Sequence, residues 1–442
     1  MDLLNGSIRT LYFRYFAAAF GSACISCIYG MVDSAVFGQY HGPDGTAAIA
    51  VIMPIFNIMY SLGLFVGVGG SVLFGTERGR AAGGNDRQNE YFTAACIGAV
   101  FFSILVWIIL FAFETPLLLL FGADETLLPL AQQYMLPLRF AAPVFLFSQL
   151  LAAFLRNDNA PGLAAAAVLF TGIFNVFGDF FFVFGLNLGI LGAGLATAMG
   201  SAISVLVMLT HFLSKKNTLR LVRVTGFFRK LKNILVTGFS TFFTDFSLGI
   251  ITMLFNRQTM LYLGSSALAV FGVLMNLNTF VQCCGYSVGQ AAQPIISMSY
   301  GAGQTGRIRD TLKYALGTAL FLGVLWLVLI MGFPNAFVRL FMSPTEEVLS
   351  IAPAIIRTYG SAFLFVPFTV FSTYYFQSIM KPADAFVISL SRGLVISGIL
   401  ILLLPGLFGA DALWLAMPVA EGLTAVCAAV RMVHHTVRLR SR

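Results

Sequence analysis

Two polar side chains lie inside one apolar segment of the sequence, at a spacing that could form a binding site. Asn175 and Asp179 are set in the stretch TGIFNVFGDFFFVFG, which is otherwise almost entirely apolar. Side chains four residues apart on a helix lie on the same face, one turn above the other. Burying an ionisable group in such surroundings is costly, so an acid there indicates a functional site with a partner.

A second group of polar residues lies in later apolar segments. Asp245 is an isolated acid near the middle of the seventh segment. It could contact a cationic substrate or a second proton, or it could make only a structural hydrogen bond. Asn278 and Gln282 share a helix face and could line the same cavity, although hydrogen bonding between helices is the favoured interpretation. The sequence shows no catalytic constellation of Ser, His, Cys and acidic residues, so we do not predict an enzyme.

The composition places these residues in a membrane. Hydrophobic residues make up 58% of the 442 residues and charged residues 10%, whereas soluble domains contain about a quarter charged residues. Apolar runs of about 20 residues, the length that spans a bilayer, recur along the whole chain. We therefore predict an all-α polytopic membrane protein with twelve transmembrane helices, at residues 11–38, 46–75, 89–113, 127–152, 162–184, 189–213, 231–257, 266–299, 311–333, 347–378, 384–405 and 411–433.

Basic residues predict the orientation of the chain. They concentrate in alternate connections, above all between Ser214 and Lys232, a stretch with seven lysines and arginines and no acid. Cytoplasmic connections carry an excess of Lys and Arg, so this side and both termini are predicted to be cytoplasmic. The net charge of +8 is explained in the same way, without a nucleic-acid partner. We expect a multi-pass protein of the cell (inner) membrane.

The longest polar connection divides the chain near its middle and indicates a duplication. A shift of 220 residues (287 − 67) sets Gly69 over Gly289 and Arg87 over Arg307 in one constant register. A repeat with an even number of spans begins and ends on the same membrane side, as in transporters built from parallel repeats. We predict two six-helix bundles related by a parallel pseudo-twofold repeat: an N-terminal lobe at 1–213, a cytoplasmic linker at 214–230 and a C-terminal lobe at 231–442.

Topology brings further oxygen ligands to the level of Asp179. Asp33 lies near the outer end of the first span, and Thr197 lies in the outer half of the sixth. At a rise of about 1.5 Å per residue, both come to a depth similar to that of Asn175 and Asp179. Two carboxylates, an amide and a hydroxyl suit a small hard cation, and two acids in one site suit a proton equally well. We predict that these four residues bind the cation, as metal ligands if it is Na⁺. The alternative is that Asp33 only caps or bonds a neighbouring helix.

Four stretches of the sequence are similar to those of one transporter family. They are VDSAVFGQYHGPDGTAAIA from Val32, LRNDNAP from Leu155, the Asn175 to Asp179 spacing followed by GLNLGILGAGLATAMG, and the block from Asn256 through QAAQPIISMSYGAG. On these stretches the chain resembles the bacterial branch of the multidrug and toxic compound extrusion (MATE) family.

The resemblance implies two six-helix lobes that alternate in access and expel organic cations in exchange for Na⁺ or H⁺. It also implies a cation site in the N-terminal lobe at Asp33, Asn175, Asp179 and Thr197. Asp245 resembles a Glu that one bacterial branch of the family uses in coupling or substrate binding.

We therefore expect a secondary active antiporter that exports cationic, amphipathic organic compounds by alternating access. It is expected to act as a monomer in the lipid bilayer, with no cofactor other than the coupling ion. The alternative is a flippase for lipid-linked oligosaccharide, which would need a strongly cationic cavity. The spans offer few basic residues for such a cavity, namely Arg139, Arg357 and Arg392, which are expected near span ends. A channel is disfavoured by the repeat and by an acid cluster in a single lobe.

Overall fold

The computed structural model describes residues 3–80, 87–342 and 344–438, apart from the side chains of residues 29, 31–35, 37–39, 41–47 and 50. Within these residues the chain forms α-helices, short π- and 3₁₀-helical segments, and no strand. The α-helices are α1 (Ile8–Arg80), α2 (Arg87–Leu120), α3 (Leu127–Asn157), α4 (Pro161–Asp179), α5 (Gly189–Leu209), α6 (Phe227–Tyr262), α7 (Gly264–Gly301), α8 (Thr305–Gly332), α9 (Pro334–Phe341), α10 (Glu346–Gly360), α11 (Val366–Ser378), α12 (Pro382–Leu390), α13 (Ile396–Phe408) and α14 (Ala416–Arg438).

The described residues contain 12 helical segments long and apolar enough to cross a membrane. The prediction of an all-α protein with twelve transmembrane helices is thus confirmed. Helix α1 contains the first two of these segments, and the connection expected at residues 39–45 has helical backbone. A continuous helix satisfies the backbone hydrogen bonds of such a stretch internally.

The chain folds into two compact units. Unit 1 contains Leu3 and the described residues from Ala17 to Phe242, and unit 2 contains Leu4–Phe16 together with the described residues from Phe243 onward. Within unit 2, the start of the chain packs against α8. Arg307 donates a hydrogen bond to the carbonyl oxygen of Gly6 at 2.9 Å.

Helices α1 and α6 cross very closely within unit 1, at glycines on each helix. A Cβ added at Gly238 would lie 1.9 Å from the carbonyl oxygen of Phe65. A Cβ added at Gly69 would lie 2.1 Å from the carbonyl oxygen of Ile234. Small residues such as glycine let the backbones of two membrane helices approach this closely, and the helices associate through that contact. The crossing leaves no room for a side chain at either glycine.

Gly238→Ala is therefore expected to destabilise the protein by about 1–3 kcal/mol, because the new methyl group forces two backbones apart. The measurement is the midpoint of thermal unfolding of the purified protein in detergent. Gly249→Ala is the matched control, since it lies in the same helix and its added Cβ meets no heavy atom within 4 Å. Equal midpoints for the two variants would show that the crossing can widen without cost.

The connection between α5 and α6 is bound to unit 1 by side-chain acceptors of α2. Glu90 accepts hydrogen bonds from the backbone N–H and the hydroxyl of Thr225, both at 2.6 Å. It also forms an ion pair with Lys230 at 2.9 Å. The Oδ1 atom of Asn89 accepts the backbone N–H of Arg220 at 3.2 Å. The basic linker is therefore attached along its length to one unit.

A buried carboxylate joins three parts of unit 1. Asp158, directly after α3, accepts a hydrogen bond from Nη1 of Arg78 at 2.8 Å and one from Nε2 of His211 at 2.7 Å. It also accepts the backbone N–H of Thr218 at 2.9 Å and the hydroxyl of the same residue. Asp158 thereby ties the end of α1, the end of α3 and the start of the linker together.

Candidate functional site

Helix α4 places its acid and its amide inward and its aromatic residues outward. Asp179 and Asn175 are buried, at 0% and 1% exposure. Phe177, one of the phenylalanines beside them in sequence, is 71% exposed. Large apolar side chains on the outside of a membrane helix face lipid, because the hydrocarbon solvates them. The acid therefore lies on the interior face of unit 1, as its spacing from Asn175 predicted.

Two further contacts build a polar cluster on that face. Nδ2 of Asn175 donates to Oγ1 of Thr197 in α5 at 3.2 Å. The hydroxyl of Tyr134 in α3 lies 3.4 Å from the same Oγ1 atom. We call Tyr134, Asn175, Asp179 and Thr197 the unit 1 polar cluster. Tyr134 was missed from the sequence; its only signal is a hydroxyl within a span, which needs a partner when buried.

One acceptor of the unit 1 polar cluster is left without a hydrogen bond. Oδ1 of Asn175 is buried and accepts none from any described residue. It lies one helical turn from the Asp179 carboxyl. Buried polar atoms are nearly always satisfied, so such an oxygen beside a buried acid calls for a donor or a cation. Either Na⁺ or a protonated carboxyl group would meet that need.

Local backbone structure positions the cluster. Helix α4 passes into a π-helix at Phe180–Gly185, immediately after Asp179, and π-helical turns occur often at functional sites. Helices α4 and α5 approach closely, since a Cβ added at Gly178 would lie 3.0 Å from Cβ of Ala196. This contact holds Thr197, the next residue, against α4.

Asp33, the remaining predicted ligand, lies in the helical backbone of α1, but its side chain is outside the described residues. Helix α1 does approach the region of the cluster. Seven residues beyond Asp33, the hydroxyl of Tyr40 donates to Oδ1 of Asn187 at 2.5 Å, just after the π-helix. Participation of Asp33 in the site stays a prediction.

Thr197→Val is expected to destabilise unit 1 by about 1–3 kcal/mol, because the amide of Asn175 loses its acceptor while remaining buried. Thermal unfolding of the purified protein measures the loss. Thr197→Ser is the control, since it retains the hydroxyl and should unfold near the parent temperature. If both variants unfold at the parent temperature, the hydrogen bond to Asn175 does not contribute to stability.

Unit 2 contains a cavity of about 500 Å³, its opening included. Three residues of one face of α7 line it, at four-residue intervals: Asn278, Gln282 and Tyr286. Aromatic residues line it elsewhere, namely Phe255, Phe271 and Tyr359. The structure thus brings Asn278 and Gln282 to one cavity, and Asp245 lies beside it, accepting a hydrogen bond from the hydroxyl of Tyr286 at 2.7 Å.

The same cavity contains a buried ion pair. Nε of Arg392 donates to Oε1 of Glu421 at 2.6 Å, and the hydroxyl of Thr369 donates to Oε2 of Glu421 at 2.6 Å. Arg392 was expected near a span end. It lies instead in a π-helix, Ser391–Val395, within the span formed by α12 and α13.

Glu421 was missed from the sequence, although an acid within the last span is itself a signal. The other two arginines of the spans make separate contacts. Arg139 pairs with Glu114 at 2.8 Å, and Arg357 donates to the carbonyl oxygen of Met331 at 3.0 Å. Neither of them lines the cavity.

Comparison with protein families finds one family, whose model matches two successive segments of the chain. The model of the MatE family matches residues 18–181 and again residues 239–403. The two matches are offset by 221 residues at their starts (239 − 18) and by 222 at their ends (403 − 181). This agrees with the duplication predicted at an offset of 220 residues.

Known relatives and solved structures extend over nearly the whole chain. The multidrug export protein MepA of Staphylococcus saprophyticus is 23% identical over 411 residues, which are 91% of this chain and 89% of that protein. MepA of Staphylococcus aureus is 22% identical over 410 residues, with the same coverage.

Two solved structures share the fold. An outward-facing MATE family transporter of the MOP superfamily superposes with a TM-score of 0.91 at 19% identity, covering 100% of this chain and 98% of that one. A MOP superfamily transporter of Pyrococcus furiosus, described as having a binding pocket of reverse polarity, superposes with a TM-score of 0.90 at 19% identity, covering 99% and 98%.

Proposed function

The chain belongs to the MatE family of transporters, and on that basis we propose that it is a secondary active antiporter exporting organic cations in exchange for Na⁺ or H⁺. It is a multi-pass protein of the cell membrane that exports small organic compounds, as the family and its multidrug export relatives indicate. The coupling ion, the cationic nature of the substrates and the cytoplasmic termini are parts of the proposal.

The observation that carries the coupling proposal is the unsatisfied amide oxygen of Asn175, one turn from the buried acid Asp179. A cation or proton entering from outside binds there, with Asp33 and Thr197 as the other predicted ligands. Its binding biases unit 1 toward the state that releases substrate outward. A bias of this kind requires the ion to bind the two states with different affinity.

The cavity of unit 2 is proposed to form part of the substrate path, with Asp245, Asn278 and Gln282 as its polar contacts. Its aromatic lining suits flat organic cations. The substrate-binding acid would be Asp245, held in place by the hydroxyl of Tyr286.

The flippase alternative is not favoured. Relatives covering most of the chain carry the name of multidrug export proteins. A pyrophosphate group would need an excess of positive charge, whereas the arginine lining the unit 2 cavity is neutralised by Glu421.

Transport by the purified protein in liposomes tests the proposal. Vesicles are loaded with ethidium, and an inward Na⁺ gradient and an inward proton gradient are imposed separately. We expect one of the two to accelerate ethidium release several-fold, and collapse of that gradient by an ionophore to abolish the acceleration. Release at the protein-free rate under both gradients would overturn the antiport proposal.

A further inference from the structure

The connection between α5 and α6 carries large apolar and basic side chains together on its outside. Leu213, Leu221 and Phe228 are each between 72% and 89% exposed. Basic side chains that are exposed and make no ion pair with any described residue lie beside them in sequence, namely Lys215, Lys216, Arg220, Arg223, Arg229 and Lys232. We call these three apolar and six basic side chains the linker surface. A surface that is both apolar and strongly positive matches a partner that is both apolar and negative.

Helix α2 holds the opposite side of the linker, so the fold determines which side chains face outward. The backbone N–H groups of Arg220 and Val222 donate to side-chain oxygens of α2 at 3.2 and 3.0 Å. Val222 and Val224 are half-buried, whereas Leu221 and Arg223 are exposed. Side chains of an extended chain alternate between its two sides in this way. The linker surface is therefore presented by a backbone that is already bound to unit 1.

The linker surface lies at the ends of two spans. Leu213 is the last residue of the span Gly189–Leu213, and Phe228 lies in the first turn of the span Phe227–Tyr262. Lysine and arginine near span ends extend their charged groups into the headgroup layer while their alkyl stems remain on apolar surface. The position of the linker thus places its cations at the level of the lipid headgroups.

We propose that the linker surface binds the headgroups of anionic phospholipids, with Leu213, Leu221 and Phe228 inserted among the adjoining acyl chains. The stretch from Ser214 to Lys232 contains seven basic residues and no acid, so no charge within it opposes the anionic headgroups. Basic residues at a membrane surface are attracted to anionic lipids, and inserted apolar side chains add to that binding. This inference goes beyond the proposed function and does not rest on it, because lipid binding requires neither the coupling ion nor a substrate.

The apolar side chains favour a lipid over an acidic protein as the partner. An acidic protein in the aqueous phase would neutralise the cations of the linker surface. It would not cover Leu213 and Phe228, because the ends of the spans lie at the edge of the bilayer, where acyl chains are the available apolar groups. Anionic phospholipids supply the negative charge and the apolar contact in one molecule.

Spin-labelled lipids test the proposal. The full-length protein is placed in phosphatidylcholine vesicles with a trace of spin-labelled phosphatidylglycerol or spin-labelled phosphatidylcholine. Electron paramagnetic resonance then gives the association constant of the first lipid with the protein relative to that of the second. We expect a preference of at least about threefold for phosphatidylglycerol at low salt. The preference should fall at high salt, because the Debye length shrinks from about 10 Å at about 0.1 M to about 3 Å at about 1 M.

A fourfold variant, Lys215→Gln, Lys216→Gln, Arg220→Gln and Arg223→Gln, should lose at least about half of this preference. The contact of Arg220 with α2 is made by its backbone and is retained, and the midpoint of thermal unfolding verifies that the variant is folded. The double variant Lys215→Gln, Lys216→Gln covers the case in which the fourfold variant fails to fold, and it should show an intermediate preference.

The matched control removes the same number of positive charges from exposed positions outside the linker. It should keep the preference of the parent protein, although its net charge equals that of the fourfold variant. Its substitutions are Arg9→Gln, Arg257→Gln, Arg339→Gln and Lys381→Gln.

Three results would overturn the proposal. The first is a parent protein without any preference for phosphatidylglycerol, the result expected if the linker surface serves an acidic protein instead. The second is a preference that survives in the folded linker variants, and the third is an equal loss in the control, which would assign the effect to net charge. Failure of the antiport proposal is a separate result, since vesicles would then show no ion-driven export while the lipid preference is unaffected.

Discussion

Asp179→Asn is expected to abolish ion-driven export while the chain still folds and inserts. The amide has nearly the shape of the carboxyl group but cannot carry its charge or take up its proton. Asp179 is fully buried beside an unsatisfied amide oxygen, so the substitution removes the charged member of the unit 1 polar cluster. An ion that binds the two access states of the transporter equally tightly cannot shift the equilibrium between these states.

The measurement is the initial rate of ethidium efflux from energised cells at matched levels of membrane-inserted protein. The rate should fall by at least about tenfold, because export is no longer driven by the ion gradient. Asp310→Asn is the control: this carboxylate is 56% exposed at its side chain, and its loss should leave efflux unchanged. Efflux at the parent rate in Asp179→Asn cells would exclude Asp179 from coupling.

Asp158→Ala is expected to have the largest effect on stability. The substitution leaves Arg78 and the buried His211 without their shared acceptor and releases the linker at Thr218. Removing one partner of a buried ion pair costs about 3–5 kcal/mol. The midpoint of thermal unfolding in detergent should fall well below that of the parent protein, and little folded protein should reach the membrane.

Asp310→Ala is the matched control for stability. Its carboxylate lies 3.5 Å from Lys313 in an exposed pair, and such pairs contribute about 0–1 kcal/mol. Similar midpoints for Asp158→Ala and Asp310→Ala would show that the Asp158 contacts are not needed to hold unit 1 together.

Much of the fold followed from elementary properties of the sequence. A bilayer requires long apolar runs, so hydropathy alone located the twelve spans. The helical period placed Asn175 and Asp179 on one face, and the depth argument brought Thr197 near them; the structure shows Asn175 and Thr197 hydrogen-bonded. The placement of side chains that follows from helical period and from depth in the membrane is therefore predictable from the sequence.

Contacts between distant segments were not predictable in this way. Neither hydropathy nor spacing indicates that Tyr134 faces Thr197 or that Arg392 pairs with Glu421, because both contacts depend on how separate helices pack. Because burying a charged side chain within the membrane costs free energy, an arginine of a span is expected near the span end. Arg392 can lie in the interior of its span because Glu421 pairs with it. The packing of the first residues within unit 2 is likewise a product of tertiary structure.

We propose that an ion bound at the unit 1 polar cluster drives export, separately from substrate binding. The most direct test of this proposal compares two assays on the same vesicles containing the Asp179→Asn protein: ethidium release driven by an imposed ion gradient, and exchange of internal for external ethidium without any gradient. We predict that gradient-driven release is lost and that exchange continues at a rate close to that of the parent protein. Gradient-driven release at the parent rate, or loss of both activities in a folded protein, would contradict the claim.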